Sequence, residues 1–439
     1  MIPLKENAED KEGLITQLRE SICGYWFARD FVDQKQIKPP KYKAYDLYLQ
    51  LLLEWPYPEQ ILNEIIAIDS TFYLPRIQFL NINRIGIAGE NKKHFEFLSR
   101  HINYMSTYEK SWFQFINSFY RGNAEAAFLH LEKIRKKYPH DIILNQETAS
   151  IALEGLHNPE LALSIYKAIP NLNKMNAERL GAYYYFIFQN MLFSYIYLNR
   201  EEDLKSLMSD FKRVQPDVHK GLLNVMLLQE AIAIKDSVLI ETTIEEFYIH
   251  AEQYPFLYLF YSSGYFISRL SNPRIRETVF ANTSEFLKTL GEEHPVYQLY
   301  INWQPYIHKD PGKLTLNLEH LPLTYQISNY AWAANTYLDK GQFEDVRPVL
   351  EKLEEYLEPN FAQASCLGPG LAHYCRGQIF ARMGDKDLAL RHLREAKNLG
   401  LAKYMSYYEY DRSLESLYNH PEFQELIQPI WPEGYEPEK

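Results

Sequence analysis

Residues 377–396 carry the most informative pattern of this 439-residue chain, and they read Gly377-Gln378-Ile379-Phe380-Ala381-Arg382-Met383-Gly384-Asp385-Lys386-Asp387-Leu388-Ala389-Leu390-Arg391-His392-Leu393-Arg394-Glu395-Ala396. Gly377 is a small residue at a point where two helices can cross closely, and Phe380 follows one turn later. Gly384 and Asp385 then supply a turn that ends the first helix. Small and apolar residues recur at helical spacing after this turn, at Ala389, Leu393 and Ala396. The stretch predicts two helices joined as a tight hairpin.

Copies of this pattern recur when the chain is aligned on its turns. The aligned turns are Arg121-Gly122-Asn123, His157-Asn158-Pro159, Asn199, Gly341-Gln342-Phe343 and Gly384. The apolar positions that follow them are, in the same order, Ala127, Leu131 and Ile134; Ala162, Tyr166 and Ile169; Leu204, Met208 and Phe211; Val346, Leu350 and Leu353; and Ala389, Leu393 and Ala396. Two weaker copies follow Ala88-Gly89-Glu90 and Lys235-Asp236. Such copies predict stacked helical hairpins, each of which buries its apolar stripe against its neighbours.

The spacing of the turns is that of a known repeat. Gly89 to Gly122 is 33 residues and Gly122 to His157 is 35, and the tetratricopeptide (TPR) period is about 34 residues. Residues 14–429 resemble the TPR-bearing C-terminal regions of bacterial signalling proteins, where they follow winged-helix transcriptional activators, adenylate cyclases or serine/threonine kinases. The segments that carry the resemblance are Tyr45-Asp46-Leu47-Tyr48-Leu49, Ile65-Ile66-Ala67-Ile68-Asp69, Met105-Ser106-Thr107-Tyr108-Glu109-Lys110 and Leu417-Tyr418-Asn419-His420-Pro421-Glu422-Phe423-Gln424-Glu425-Leu426. The resemblance implies an all-α, TPR-like α-solenoid of about nine or ten hairpins.

Four parts follow from this alignment. Residues 1–57 form an N-terminal helical cap, with helices predicted over residues 12–31 and 42–55. Residues 58–290 carry the first TPR-like repeats, and residues 326–439 carry the C-terminal repeats and a capping helix. Between them, residues 291–325 are predicted to be an irregular connection, because prolines interrupt the helical pattern there.

The charge of the chain argues against nucleic acid as a partner. The formal net charge is −11, whereas a nucleic-acid-binding face is normally basic. The densest basic run contains Lys133, Arg135, Lys136 and Lys137, and we interpret it as the solvated last turn of a helix, where cations suit the helix dipole.

Three features of the sequence indicate the cellular compartment and whether the chain inserts in a membrane. Three cysteines cannot form a disulfide framework, and the first residues lack the apolar core of a signal peptide. Residues 180–198 are almost uncharged and long enough to span a bilayer, but they carry Gln189 and Asn190 at mid-depth. We therefore predict a buried helix there, no membrane insertion and a cytoplasmic location.

Catalytic and metal-binding patterns are weak. Cys366, His373 and Cys375 lie close in sequence, with His392 on the paired helix, but no CxxC or HxxxH spacing relates them. Asp385 and Asp387 belong to a turn, and no phosphate-binding loop or nucleophile motif is present. We expect no enzymatic activity, no metal and no cofactor.

Aromatic residues are the stronger indication of function, since the chain holds 35 Tyr, 24 Phe and 6 Trp and such side chains are favoured at interfaces. First-helix residues expected to line a peptide-binding groove are Trp112, Phe113, Ile116, Gln189, Asn190, Phe193, Trp332, Asn335, Tyr374 and Gln378. Asn335 stands where some TPRs hold a peptide backbone. The Lys/Asn carboxylate clamp of chaperone-tail-binding TPRs is absent, so an acidic C-terminal peptide is not the expected ligand.

The resemblance and the aromatic content together predict a non-catalytic scaffold that binds a protein or peptide in its concave groove, in bacterial signalling or transcriptional regulation. One alternative is a module that senses a small molecule and is coupled to an effector domain. A second alternative is a helical-toroid hydrolase, which would need paired carboxylates in an aromatic cleft.

Overall fold

A computed structural model of the chain describes residues 40–51, 59–82, 88–169, 182–214, 323–358, 368–401 and 412–435, together with a few isolated positions. Within these ranges the protein is all-helical, with 15 α-helices, two short 3-10 helices and no strand. The helix predicted over residues 12–31, the weak copy after Lys235-Asp236 and the connection at residues 291–325 lie almost wholly outside the described residues.

The α-helices in chain order are α1 (Tyr42–Leu51), α2 (Glu59–Ile68), α3 (Leu74–Ile82), α4 (Ala88–His101), α5 (Thr107–Tyr120), α6 (Ala124–Arg135), α7 (Ile142–Glu154), α8 (Pro159–Lys167), α9 (Ala182–Tyr197), α10 (Glu201–Val214), α11 (Leu323–Asp339), α12 (Phe343–Glu354), α13 (Pro369–Met383), α14 (Lys386–Asn398) and α15 (Pro421–Leu426). The 3-10 helices are Ile102–Tyr104 and Arg412–Leu417. The closest packing joins α5 to α6, α7 to α8, α11 to α12 and α13 to α14, which are consecutive helices separated by short turns. Further contacts join α6 to α7, α9 to both α7 and α8, and α11 to α13.

The five aligned turns share one backbone conformation. The φ angles are +75° at Gly122, +50° at His157, +51° at Asn199, +72° at Gly341 and +88° at Gly384. A left-handed residue at this point reverses the chain after a helix, and glycine adopts it without the steric cost of a Cβ atom. The predicted turns are confirmed.

The apolar positions that follow these turns form the core between the helices. Thirteen of the fifteen aligned side chains are buried, while Leu350 is half-buried and the side chain of Phe211 lies outside the described part. At the crossing of α13 and α14, a Cβ atom on Gly377 would lie 2.9 Å from the Leu393 side chain and 3.3 Å from the Ala389 carbonyl oxygen. The small residue is therefore required by the close approach of the two helices.

Side-chain caps start several of the helices. Asn123, Asp141, Asn158 and Asp385 each accept a hydrogen bond from a backbone N–H in the first turn of the helix that follows. Ser106 begins α5 with a reciprocal capping box. Such caps satisfy N–H groups that have no partner inside the helix.

One local prediction differs from the structure. The turn expected at Ala88-Gly89-Glu90 is instead the first turn of α4, although His94 and Leu98 on that helix are buried as the alignment requires. The helix predicted over residues 42–55 is confirmed from Tyr42 to Leu51, and residues 52–55 lie outside the described residues.

The C-terminal helices return to the middle of the chain. A Cβ atom on Gly122, in the turn between α5 and α6, would lie 2.7 Å from the backbone of Leu399, which follows α14. Farther along, the Ile430 N–H donates to the Leu156 carbonyl oxygen at 2.8 Å. The end of α14 and the chain around Ile430 thereby lie against the hairpins formed by α5 to α8.

Candidate binding surface

The ten residues predicted to line the groove fall into two groups that differ in solvent exposure. Five have little accessible surface, namely Trp112 (0% exposed), Phe113 (3%), Ile116 (0%), Asn190 (7%) and Tyr374 (5%). The other five are partly exposed, namely Gln189, Phe193, Trp332, Asn335 and Gln378. A partner in this conformation can touch only the second group.

The burial of the α5 residues has a direct cause. Helix α5 packs on α6 at one side and on α3 at another. Trp112 consequently lies in the core, where its ring meets Phe115 edge to face at 5.6 Å. Ring contacts of this kind contribute to core stability. Trp112, Phe113 and Ile116 are thus core residues in the structure and present no surface to a groove.

A buried polar network links α7, α8 and α9. The Tyr166 hydroxyl donates to Gln146 Oε1 at 2.9 Å, and Asn190 Nδ2 donates to the Tyr166 oxygen at 2.9 Å. Ser150 Oγ accepts from Gln146 Nε2 and from Asn190 Nδ2, both at 3.0 Å. Burial raises the pKa of Tyr166 well above its ordinary value, so the hydroxyl stays protonated and can donate. The pattern of apolar positions did not indicate this network.

The network gives Asn190 a structural role. Its amide joins three helices, which fixes α9 relative to α7 and α8. Neighbouring side chains on α9 keep exposed surface, and they include Gln189, Phe193 and Phe186, the last with 37% exposure. We call these three residues the α9 patch, a surface that combines two aromatic rings with one amide.

A second patch lies on α11 and α13, two helices that pack on each other. Its members are Trp332, Asn335 and Gln378, and we call it the α11–α13 patch. Arg382, one turn beyond Gln378, donates from Nη1 to Asn335 Oδ1 at 2.8 Å and from Nη2 to Asp339 at 2.5 Å. Asn335 is therefore held by Arg382, and its Nδ2 group is what remains to donate to a peptide carbonyl.

Two histidines meet where α12, α13 and α14 join. Arg376 Nε donates to His392 Nε2 at 3.3 Å, and the Nδ1 atoms of His392 and His373 are 2.9 Å apart. Because Nε2 of His392 accepts a hydrogen bond, its proton resides on Nδ1, which donates to His373. Arg376 also reaches the Leu350 carbonyl oxygen at 2.7 Å. The arrangement requires both imidazoles to be neutral.

The stability of the protein should fall at acidic pH because of this cluster. Burial, followed by the positive charge of Arg376, lowers the pKa of His392 to about 4. An unfolded histidine has a pKa of about 6.5, so the unfolded chain takes up the proton first as pH falls. The contribution of His392 is complete above about pH 6.5 and is lost progressively toward pH 4.

We expect His392→Gln to reduce the loss of unfolding free energy between pH 7.5 and pH 5 by about 1–2 kcal/mol. Glutamine keeps a donor and an acceptor but does not titrate. Urea unfolding of both proteins at each pH measures the difference. Equal pH dependence of the two proteins would show that His392 does not titrate as described.

The buried carboxylates have structural partners. Burial raises the pKa of Glu109, whose carboxylate completes the Ser106 capping box. Burial likewise raises the pKa of Asp141, which caps α7 and accepts from the Tyr108 hydroxyl at 2.7 Å. Raised carboxyl pKa values can mark catalytic acids, but here the helix caps explain why these groups are placed where they are.

Metal-ligating residues do not assemble in the part of the chain that the structure describes. No group of three His, Cys, Asp or Glu side chains there could hold a metal ion. Cys375 is buried, and Cys366 lies outside the described residues.

Among the described helices, none combines the length and the apolar composition needed to cross a bilayer. The segment 180–198 contributes α9, which has 16 residues. Comparison of the chain with protein-family models, with curated proteins and with solved structures gives no match.

Proposed function

We propose that this protein is a non-catalytic binding scaffold, a TPR-like α-solenoid that holds a protein or peptide against the first helices of its hairpins. One observation carries the proposal. Five hairpins reverse at a left-handed residue, and thirteen of the fifteen corresponding positions on the helices that follow are buried. That equivalence supports a repeat architecture, in which concave first helices serve as the binding face.

The two exposed patches supply the chemistry for the proposed contact. Both combine aromatic rings with primary amides, and neither contains a charged member. Aromatic side chains supply most of the binding energy at interfaces, and amides can pair with an extended peptide backbone. Together with the likeness to the TPR regions of bacterial signalling proteins, this supports an uncharged or weakly charged segment of a regulatory protein as the partner.

A capture experiment tests the proposal. The immobilised chain is exposed to its native lysate, and the retained proteins are identified and quantified by mass spectrometry. We expect Trp332→Ala combined with Gln378→Ala to lower the amount of the specific partner by about tenfold or more, the usual effect of losing an aromatic hot spot. Asn335 is left intact because its loss would disturb the contact with Arg382.

The matched control is Phe343→Ala. Phe343 is 57% exposed at the start of α12 and belongs to neither patch. Capture by this variant should stay within about twofold of the wild type, since exposed residues outside an interface contribute little. Equal capture by all three proteins, with unchanged helical circular dichroism, would rule out the α11–α13 patch as the binding site.

A further inference from the structure

The polypeptide at residues 428–435, which we call the closing segment, crosses α6 and the turn between α7 and α8. Its Ile430 is bound through both main-chain groups. The N–H donates to the Leu156 carbonyl oxygen at 2.8 Å, and the carbonyl oxygen accepts from Asn158 Nδ2 at 3.2 Å. Hydrogen bonds to the main-chain N–H and carbonyl of a bound residue are a common way in which proteins hold a peptide segment.

A second set of contacts lies along one face of α6. The Glu433 N–H donates to Glu125 Oε1 at 2.7 Å. The Tyr435 ring packs edge to face on Phe128 with centroids 5.3 Å apart, and the Lys136 ammonium lies 5.7 Å from the same ring. Glu125 and Phe128 on α6 and Lys136, which directly follows this helix, are related by roughly helical spacing. One side of the helix therefore contacts the segment.

The closing segment is joined firmly to the C-terminal helices. Lys397 on α14 donates to the Leu426 carbonyl oxygen at 2.5 Å and to that of Gln428 at 3.4 Å. Arg394, on the same helix, pairs with Glu422 of α15. Binding of the closing segment therefore holds α14 and α15 against α6, α7 and α8, across a sequence separation of 272 residues at the Asn158–Ile430 bond.

We propose that the closing segment is a detachable latch, and that α6 with Leu156–Asn158 forms the clamp that this latch occupies. Five of the eight residues of the latch are exposed, Ile430 and Tyr435 are half-buried, and Pro432 is buried. A segment that keeps this much of its surface exposed opens at a lower free energy than helices buried in the core. Opening would release one constraint on the relative position of the C-terminal and middle hairpins. The inference is independent of what the scaffold binds.

Hydrogen exchange of the full chain, followed by mass spectrometry, tests the latch. The amides of Ile430 and Glu433 should exchange more slowly than unprotected amides and faster than the amides in the middle of α7. Unprotected exchange would show that the segment is not bound. Exchange only at the rate of α7 would show that it does not detach separately. Either result would overturn the proposal.

Two variants test whether the contact with Asn158 slows hydrogen exchange at Ile430. Asn158→Ser keeps a good cap for α8 but removes the Nδ2 donor, so exchange at Ile430 should become about threefold to tenfold faster, as expected for one lost hydrogen bond. Trp431→Ala changes an exposed residue of the same segment and should leave exchange unchanged. Equal effects of the two substitutions would contradict the assigned contacts.

A peptide added in trans tests the clamp directly. The probe is a fluorescein-labelled peptide of residues 428–435, and the host is the full chain with Glu433→Pro and Tyr435→Ala, which weaken the latch but leave the clamp intact. Fluorescence anisotropy should show binding to this host at least about tenfold tighter than to the wild type, whose clamp is already occupied. Adding Asn158→Ser to the host should weaken its binding of the peptide again. Equal binding to wild type and host, including no binding to either, would contradict the clamp.

Discussion

Replacing Gly122 by alanine should lower the free energy of unfolding by about 2–5 kcal/mol. Two costs combine at this position. The residue has a φ of +75°, which alanine adopts only with strain. The new Cβ atom would also lie 2.7 Å from the backbone of Leu399, and a backbone cannot move aside as a side-chain end can. Urea denaturation of both proteins measures the change.

Other glycines in the same conformation supply the controls. Gly341 and Gly384 have φ angles of +72° and +88°, and nothing lies within 4 Å of a Cβ atom built on either. Alanine at either position should lower the free energy of unfolding by only about 1–2 kcal/mol, because only the strain of the positive φ angle is added. At Gly400 the Cβ atom would be 3.1 Å from the Gly122 carbonyl oxygen. The loss of unfolding free energy for Gly400→Ala should therefore lie between that of Gly122→Ala and those of Gly341→Ala and Gly384→Ala. Equal losses at all four positions would mean that the two turns are not in contact.

The second large effect is expected at Glu132, which forms a buried ion pair with Arg135 on α6. The side chains are each 5% exposed, and Arg135 Nε and Nη2 lie 2.5 Å and 2.9 Å from the carboxylate oxygens. Glu132→Met should destabilise the protein by about 3–5 kcal/mol, because the guanidinium stays buried without its carboxylate. Chemical denaturation at neutral pH measures the loss.

The double variant Glu132→Met with Arg135→Met should recover most of that stability, because it removes both buried charges together. A matched surface pair is Arg347–Glu351 on α12, with exposures of 81% and 65%. Arg347→Met should change stability by less than about 1 kcal/mol. A double variant as unstable as Glu132→Met would contradict the ion-pair explanation, since the cost would then come from lost packing.

The local features of the hairpins could be predicted from sequence. A left-handed turn residue followed by small and apolar residues at helical spacing is a short-range pattern, and so the turn at Gly122 and the buried Ala127, Leu131 and Ile134 were predicted correctly. The pattern also placed Gly377 at a helix crossing. In each case the cause lies within one hairpin.

The exposed surface was harder to predict because it depends on which elements cover a helix. Trp112 was expected in the groove, but α3 packs on α5 and the residue belongs to the core. Arg135 was interpreted as part of a solvated basic turn, yet it is 4% exposed because Glu132 neutralises it. Neither the covering helix nor the buried pair follows from the period of the apolar residues.

Long-range polar contacts were also beyond the sequence pattern. The hydrogen bonds of Tyr166 with Gln146 and Asn190 need three helices to be in register. The bond from Asn158 to Ile430 joins parts of the chain that no repeat alignment relates. Such contacts arise only in the assembled fold, because they join residues that are far apart in sequence.

Hydrogen exchange of the chain with and without its captured partner tests the proposed binding mode most directly. Slowed exchange should appear in the first helices that carry the two patches, α9, α11 and α13, and should be absent in the Trp332→Ala, Gln378→Ala variant. Protection confined to the second helices α6, α8, α10, α12 and α14, or no protection in any described helix, would contradict a scaffold that binds along its first helices.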